Sequence, residues 1–217
     1  VECDGSSQTI AILCSGGQSN RLYRAGKVVC EACFSSGGAS GVESLCPDQA
    51  ATSFVPGSAA PCAVAIPECA HGTHVAGIAV GGPIVSGGRT VQGVAPAASI
   101  VAVQIFSKGT TAEACFGEAA PCVFAYDSDL IDALFWLRSQ MQNNVPEFQN
   151  LSAVDLSLGG GFSPGTCDGD PTKPYVDVLA SLGVVTVAAA GNSGFNSLAF
   201  PGMSSPACIS SVVSVGA

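Results

Sequence analysis

Apolar residues in this chain fall in short runs rather than in one long stretch. β-Branched runs at 9–13 (TIAIL), 27–29 (KVV), 99–106 (SIVAVQIF), 152–158 (SAVDLSL), 183–189 (GVVTVAA) and 211–216 (SVVSVG) read as strands. Most are apolar on both faces, as strands of a parallel sheet covered on two sides are. Between them lie helical patterns. Residues 71–80 are small and apolar. Residues 129–141 carry Leu130, Leu134, Leu137 and Met141 along one face, with Ser128 as the expected N-cap. A third helix is expected over 175–182, ended by Gly183. Strands alternating with helices predict one α/β domain over residues 1–217, with a mostly parallel sheet.

Two stretches break the alternation. Residues 31–70 are rich in Ser, Gly, Ala and Pro, hold four cysteines and have little periodicity; residues 108–126 form a smaller excursion containing Cys115 and Cys122. Both read as insertions stapled by disulfides. The chain has eleven cysteines, which points to an oxidising compartment and so to a secreted protein. Eight of them (33, 46, 62, 69, 115, 122, 167 and 208) lie in or near inserted loops, while Cys3, Cys14 and Cys30 are an odd three. The pairing is open from sequence. A zinc reading of Cys30 and Cys33 fails for want of a second C-x-x-C arm.

Composition narrows the function. Charged residues make up 11% against about 25% in an ordinary soluble protein. The net charge is −9 with seven Lys and Arg and no basic cluster, which argues against nucleic acid and anionic membrane surfaces. No apolar run approaches the ~20 residues of a membrane span. Residues 1–15 lack the basic start and apolar centre of a signal peptide, so a preceding segment is expected.

The candidate chemistry begins at HGTHVAG, 71–77, which holds both histidines of the chain. His71 stands at the head of a helix whose Gly72, Ala76 and Gly77 permit close packing on a sheet, and an imidazole is the natural general base near neutral pH. His71 and His74 as metal ligands would lack the Glu of an H-E-x-x-H site. In VAAAGNSG, 187–194, a strand ends at Gly191-Asn192 and presents a carboxamide at the carboxyl edge of the sheet, where α/β folds bind ligands. An uncharged donor there suits an oxyanion hole. In DLSLGGG, 155–161, a strand runs into glycines whose backbone can pair with an extended peptide.

Together and in this order, these motifs resemble those of the subtilisin-like serine proteases, the subtilases. VQGVAPAASIVAVQIF at 91–106 and SVVSVGA at 211–217 resemble the intervening and following segments, so the likeness runs over 71–217 apart from 108–126. The resemblance implies a three-layer subtilisin-like α/β domain, incomplete at its C-terminal end, and peptide-bond hydrolysis by a Ser-His-Asp triad. It implies His71 as general base and Asn192 as oxyanion donor. Ser157, Leu158, Gly159 and Gly160 would pair with the substrate backbone, and Ala188, Ala189, Ala190 and Gly191 would wall the specificity pocket. A polypeptide is the implied partner, with a propeptide as a further candidate.

The chain departs from the family twice. The family's serine opens a helix in a Gly-Thr-Ser context, and no Gly-Thr-Ser occurs in these residues; Ser193 and Ser197 match nothing nucleophilic. The family's aspartate ends the first core strand before Ser-Gly; in TIAILCSGG, 9–17, Cys14 stands at that place. A neutral thiol cannot stabilise an imidazolium as a carboxylate does. Cys14 could instead be bridged, with Cys30 as one partner. The expectation is a catalytic domain inactive as given, or else a non-catalytic, truncated or degenerate subtilase that binds peptides. No metal site is expected. Calcium has only Asp168 and Asp170 in CDGDP, 167–171, to recommend it, and two carboxylates are more often a solvated turn.

Overall fold

The computed structural model describes residues 4–17, 26–62, 66–192 and 202–216. In chain order the elements are β1 (Thr9–Cys14), β2 (Val28–Phe34), β3 (Val42–Ser44), β4 (Thr52–Ser53), α1 (His71–Val80), β5 (Ile84–Ser86), β6 (Arg89–Val91), β7 (Ser99–Gln104), β8 (Phe106–Gly109) and β9 (Cys122–Ala125). They continue with α2 (Asp127–Gln142), β10 (Leu151–Leu156), β11 (Gly160–Ser163), α3 (Lys173–Ser181), β12 (Val185–Ala189), β13 (Met203–Ser205) and β14 (Val213–Val215).

Seven strands form the central sheet in the order β14-β12-β10-β1-β7-β2-β4. All neighbours are parallel except β2 and β4. The register fixes the faces, because partners across parallel strands point the same way. Ala11, Leu13, Val101, Val103, Val154 and Leu156 face α2 and α3 in the main core. Ile12, Cys14 and Ile100 face the other way and meet Ala76 and Val80 of α1. The sheet is therefore covered on both faces, which is why its strands carry apolar residues at successive positions.

Helix α2 buries Leu130, Ala133, Leu134 and Leu137, spaced as one helical stripe. It starts two residues earlier than the apolar pattern predicts, with Tyr126 rather than Ser128 at the N-cap and no side-chain cap. Asp129 in its first turn takes over the anchoring instead. Its carboxylate accepts the Ser36 amide at 2.8 Å and the Ser36 hydroxyl at 2.7 Å. Helix α3 gives way at Leu182 to Gly183 at φ +84°, the left-handed position that ends many helices.

Strand β2 runs to Phe34, five residues beyond the KVV run, because Ala32, Cys33 and Phe34 are buried. The two stretches that broke the alternation meet each other. Strand β3 from the first pairs antiparallel with β8, which pairs in turn with β9 from the second. Stacked rings of Phe54 and Trp136, 5.7 Å apart, hold the first insertion against α2.

Among the described residues, four disulfides join Cys33–Cys46, Cys62–Cys69, Cys115–Cys122 and Cys167–Cys208, the eight cysteines near inserted loops. Cys14 and Cys30 are both free thiols. Cys14 pairs in register with Gln104 of β7 and Cys30 with Val101. They are thus separated by a whole strand and turned to opposite faces, so the bridge between them that the sequence allowed does not form. Cys3 lies outside the described residues. Among the described residues, no helix is long and apolar enough to cross a membrane.

Candidate active site

Strands β1, β7, β10 and β12 run parallel, so their carboxyl ends share one edge of the sheet. Cys14 is the last residue of β1. Ser157 follows β10, and Asn192 follows β12 by three residues. The sequence-derived candidates thus gather along the edge where open α/β sheets bind ligands.

The head of α1 is held onto β1 by two small residues. No side chain caps α1 locally. Ser15 does it from the end of β1: its hydroxyl accepts the Gly72 amide at 3.1 Å and donates to the Glu68 carbonyl at 3.0 Å. Gly72 permits the approach, since a Cβ there would collide with the Gly16 carbonyl and stand 3.2 Å from Cβ of Cys14. Ala76, one turn on, is buried against the same face. Gly77 is different. A Cβ on it would meet nothing, so it does not serve the close packing on the sheet that the motif suggested. At the far end of α1 the Lys27 ammonium caps the carbonyl of Val80 at 2.8 Å and also bonds that of Pro96.

This clamp brings His71 to Cys14, with Sγ and Nδ1 2.9 Å apart. The imidazole is exposed while the thiol is 1% exposed. Burial pushes the thiol up to about 11, against the hydrogen bonds from Ser15 and with the Asp155 carboxylate adding to the rise. At neutral pH the group is therefore S–H, a donor to Nδ1 whenever the ring is neutral. The ring proton then sits on Nε2. A general base needs the reverse arrangement, with Nδ1–H held by an acceptor and Nε2 free to take a proton.

The Asn192 side of the site depends on Gly191. Its φ is +99°, and a Cβ there would collide with the Ser204 hydroxyl. Ser204 also donates its amide to the Ala190 carbonyl at 3.0 Å, and Ala190 donates to Val215 at 2.8 Å. Asn192 is exposed at the end of this braced turn. Ala188 is 2% exposed and belongs to the main core, because alternation turns it away from Ala189. Ala189 and Ala190 are half-buried and Gly191 is exposed. Ser193 and Ser197 lie outside the described residues.

Strand β10 ends at Leu156, and Ser157 to Gly159 belong to no strand. Ser157 donates its hydroxyl to Asp155 at 2.9 Å. Gly160 pairs with Ser205 of β13. A groove of about 540 Å³ is lined by Leu158, Gly159 and Gly160 and also by Phe124 and Tyr126. Those two aromatics come from the second insertion, which the motifs left unassigned. Their rings stack edge to face at 5.1 Å.

The two aspartates considered for calcium are engaged separately. Asp168 accepts the Ser210 amide and hydroxyl, and Asp170 accepts the Thr172 amide and the Ser205 hydroxyl. Hydrogen bonds from the Ser210 amide and hydroxyl hold Asp168 below the usual carboxylate range. Among the described residues, no group of three His, Cys, Asp or Glu side chains is arranged to hold a metal ion.

Comparison with known proteins shows the family. The family model described as the subtilase family, Peptidase_S8, matches residues 64–217. The extracellular basic protease of Dichelobacter nodosus is 32% identical over 148 residues, covering 68% of this chain and 21% of that protein. Subtilisin E of Bacillus subtilis is 29% identical over 181 residues, covering 82% of this chain and 39% of its own length. The solved structure of the Clostridium perfringens CspB protease has the same fold, with a TM-score of 0.53 at 22% identity over 88% of this chain and 38% of that one. The chain thus spans about a fifth to two fifths of the length of these curated relatives. A match over residues 64–217, on a parallel sheet with α1 clamped at its carboxyl edge, carries one conclusion: this chain belongs to the subtilase family.

Proposed function

We propose that this chain is the central portion of a secreted subtilisin-like serine endopeptidase acting on polypeptides. The observation that carries the proposal is His71, held at the carboxyl edge of the sheet by the Ser15 clamp in the family's own motif. On this reading His71 is the general base and Asn192 the oxyanion donor. Ser157 to Gly160 hold the substrate backbone along the groove, and Ala189 to Gly191 wall the specificity pocket. The chemistry needs no cofactor. Secretion is supported by the disulfides and by the printed name of the Dichelobacter relative.

No serine in a Gly-Thr-Ser context lies within these 217 residues. We therefore also propose that this portion alone does not hydrolyse peptides. The test is casein cleavage by the full-length natural product and by its His71→Ala and Asn192→Ala variants. Loss of turnover with His71→Ala is expected. Asn192→Ala should lower kcat about 10²–10³-fold, a size measured by removing the corresponding donor from subtilisin itself. Undiminished cleavage by His71→Ala would overturn the reading, and cleavage by the 217-residue portion would overturn its inactivity.

One observation favours a second reading. Cys14 leaves His71 without a carboxylate at Nδ1, which suits a non-catalytic subtilase that binds peptides in the groove. Peptide binding by the full-length product without turnover would select it.

A further inference from the structure

A carboxylate in a folded interior ordinarily has hydrogen bonds to both oxygens, because leaving one bare is costly. Asp155 does not follow that rule. It lies in mid-sheet on β10, opposite Ile12 of β1 and Val187 of β12. Ile12 and Cys14 are two residues apart on β1, so Asp155 shares their face, the one covered by α1. Oδ1 accepts the Ser157 hydroxyl at 2.9 Å. Oδ2 is buried and has no hydrogen-bond partner among the described residues. Burial raises the carboxyl above its ordinary range, the Ser157 hydrogen bonds oppose that rise, and the charge of His71 opposes it too. The same carboxylate reinforces the neutrality of Cys14.

We propose that Asp155 is a positioning residue for His71: one strand over from Cys14, its carboxylate supplies the negative charge that a protonated imidazole requires and the thiol cannot give. The proton taken up by His71 stays on the ring, and Asp155 remains ionised beside it. The bare oxygen then has a purpose, since on this proposal its counter-charge exists only when the base has acted. Cys14 keeps the ring in place, and the charge comes from the neighbouring strand. Among the described residues, the other ionisable groups on this side of the sheet include His74 on α1, Glu68 in the turn before it, Lys27 bonded to carbonyls at the far end of α1, and Glu31 on β2, which is bonded to the Gly57 amide.

This inference rests on His71 being the base of the proposed endopeptidase, but its test needs no turnover. His71 and His74 are three residues apart on one helix, so each ring serves as the other's reference in an NMR titration. In Asp155→Asn, which keeps an acceptor for Ser157, the His71 ring should bind its proton roughly tenfold less tightly, with His74 unchanged. The reciprocal variant, His71→Gln, should raise the carboxyl titration of Asp155 further, and it reads the coupling if Asp155→Asn does not fold. Unchanged titration of His71 in the first variant, or of Asp155 in the second, overturns the proposal. An uncoupled pair in a turning-over enzyme would remove this role of Asp155 and leave the endopeptidase reading standing. A coupled pair without turnover would do the opposite.

Discussion

The thiol of Cys14 and Nδ1 of His71 stand 2.9 Å apart, at the position where a carboxylate would orient a general base. A thiol kept protonated by burial is a donor to that nitrogen, and a neutral ring so bonded carries its proton on Nε2. Cys14→Asp in the full-length product should reverse the polarity of the contact. Where a triad carboxylate has been neutralised in another serine protease, kcat falls about 10⁴-fold. Here a gain of roughly 10²–10⁴ in kcat at neutral pH is expected, read with a chromogenic peptide. No gain would mean that Cys14 does not limit the base.

Cys14 also sets an alkaline limit on stability. Its folded value is raised from 9.0 to about 11, so the folded state holds the proton more tightly than the unfolded chain. Stability from this group is complete below pH 9 and is lost as pH rises toward 11, at about 1.4 kcal/mol per pH unit, or roughly 3 kcal/mol in all. Denaturant curves at pH 8 to 11 should show this slope in the parent and not in Cys14→Ala. Their difference cancels the contributions of other groups.

Asp155 gives the same sign in the acid range. Its folded carboxyl is raised, so the ionised form weakens the fold. Stability falls as pH climbs from the unfolded value of 3.8 through the folded one. Asp155→Asn should therefore be more stable than the parent at neutral pH, while weakening His71. A variant less stable than the parent at pH 7 and equally stable at pH 3 would contradict this.

Gly191→Ala should damage both stability and the Asn192 turn. Positive φ at a non-glycine residue costs about 1–3 kcal/mol, and the new methyl would also strike Ser204. A lowered Tm together with loss of turnover in the full-length product is expected. Asn192→Ala should cost turnover alone.

The Cys167–Cys208 bridge closes the longest of the four loops, with a separation of 41 residues that includes α3, β12 and the Asn192 turn. Loop-closure entropy for that length gives about 4 kcal/mol. The double variant Cys167→Ala, Cys208→Ala should lose stability of that order by urea denaturation, against about 3 kcal/mol or less for either seven-residue loop.

Much of this architecture was legible in the sequence because it is local. Apolar runs such as TIAIL and SIVAVQIF mark strands by composition alone, and the Leu130–Leu134–Leu137 stripe marks α2. The departure at Cys14 was visible as a residue type out of place. What stayed hidden is set by distant partners. Strand β2 continues to Phe34 because of what packs on Ala32 and Phe34, not because of any period in VVCEACF. The α1 clamp needs Ser15, a residue from another strand, so the helix showed no cap of its own. Asp155 reads as one polar position in an apolar strand. Only the register with Ile12 turns it toward His71's side of the sheet. Phe124 and Tyr126 reach the groove from an insertion with no periodic pattern.

The sheet shared by β3, β8 and β9 has a consequence for how this protein can be altered. Its strands come from two insertions about seventy residues apart, each with its own disulfide, and its third strand leads into a wall of the groove. Neither insertion is a free-standing module. Replacing one with a relative's loop would leave the other's strand edge unpaired, so the two must be transplanted together. Selection acting on the wall of the groove reaches the distant first insertion through the same backbone ladder, and paired changes in the two are the trace it would leave.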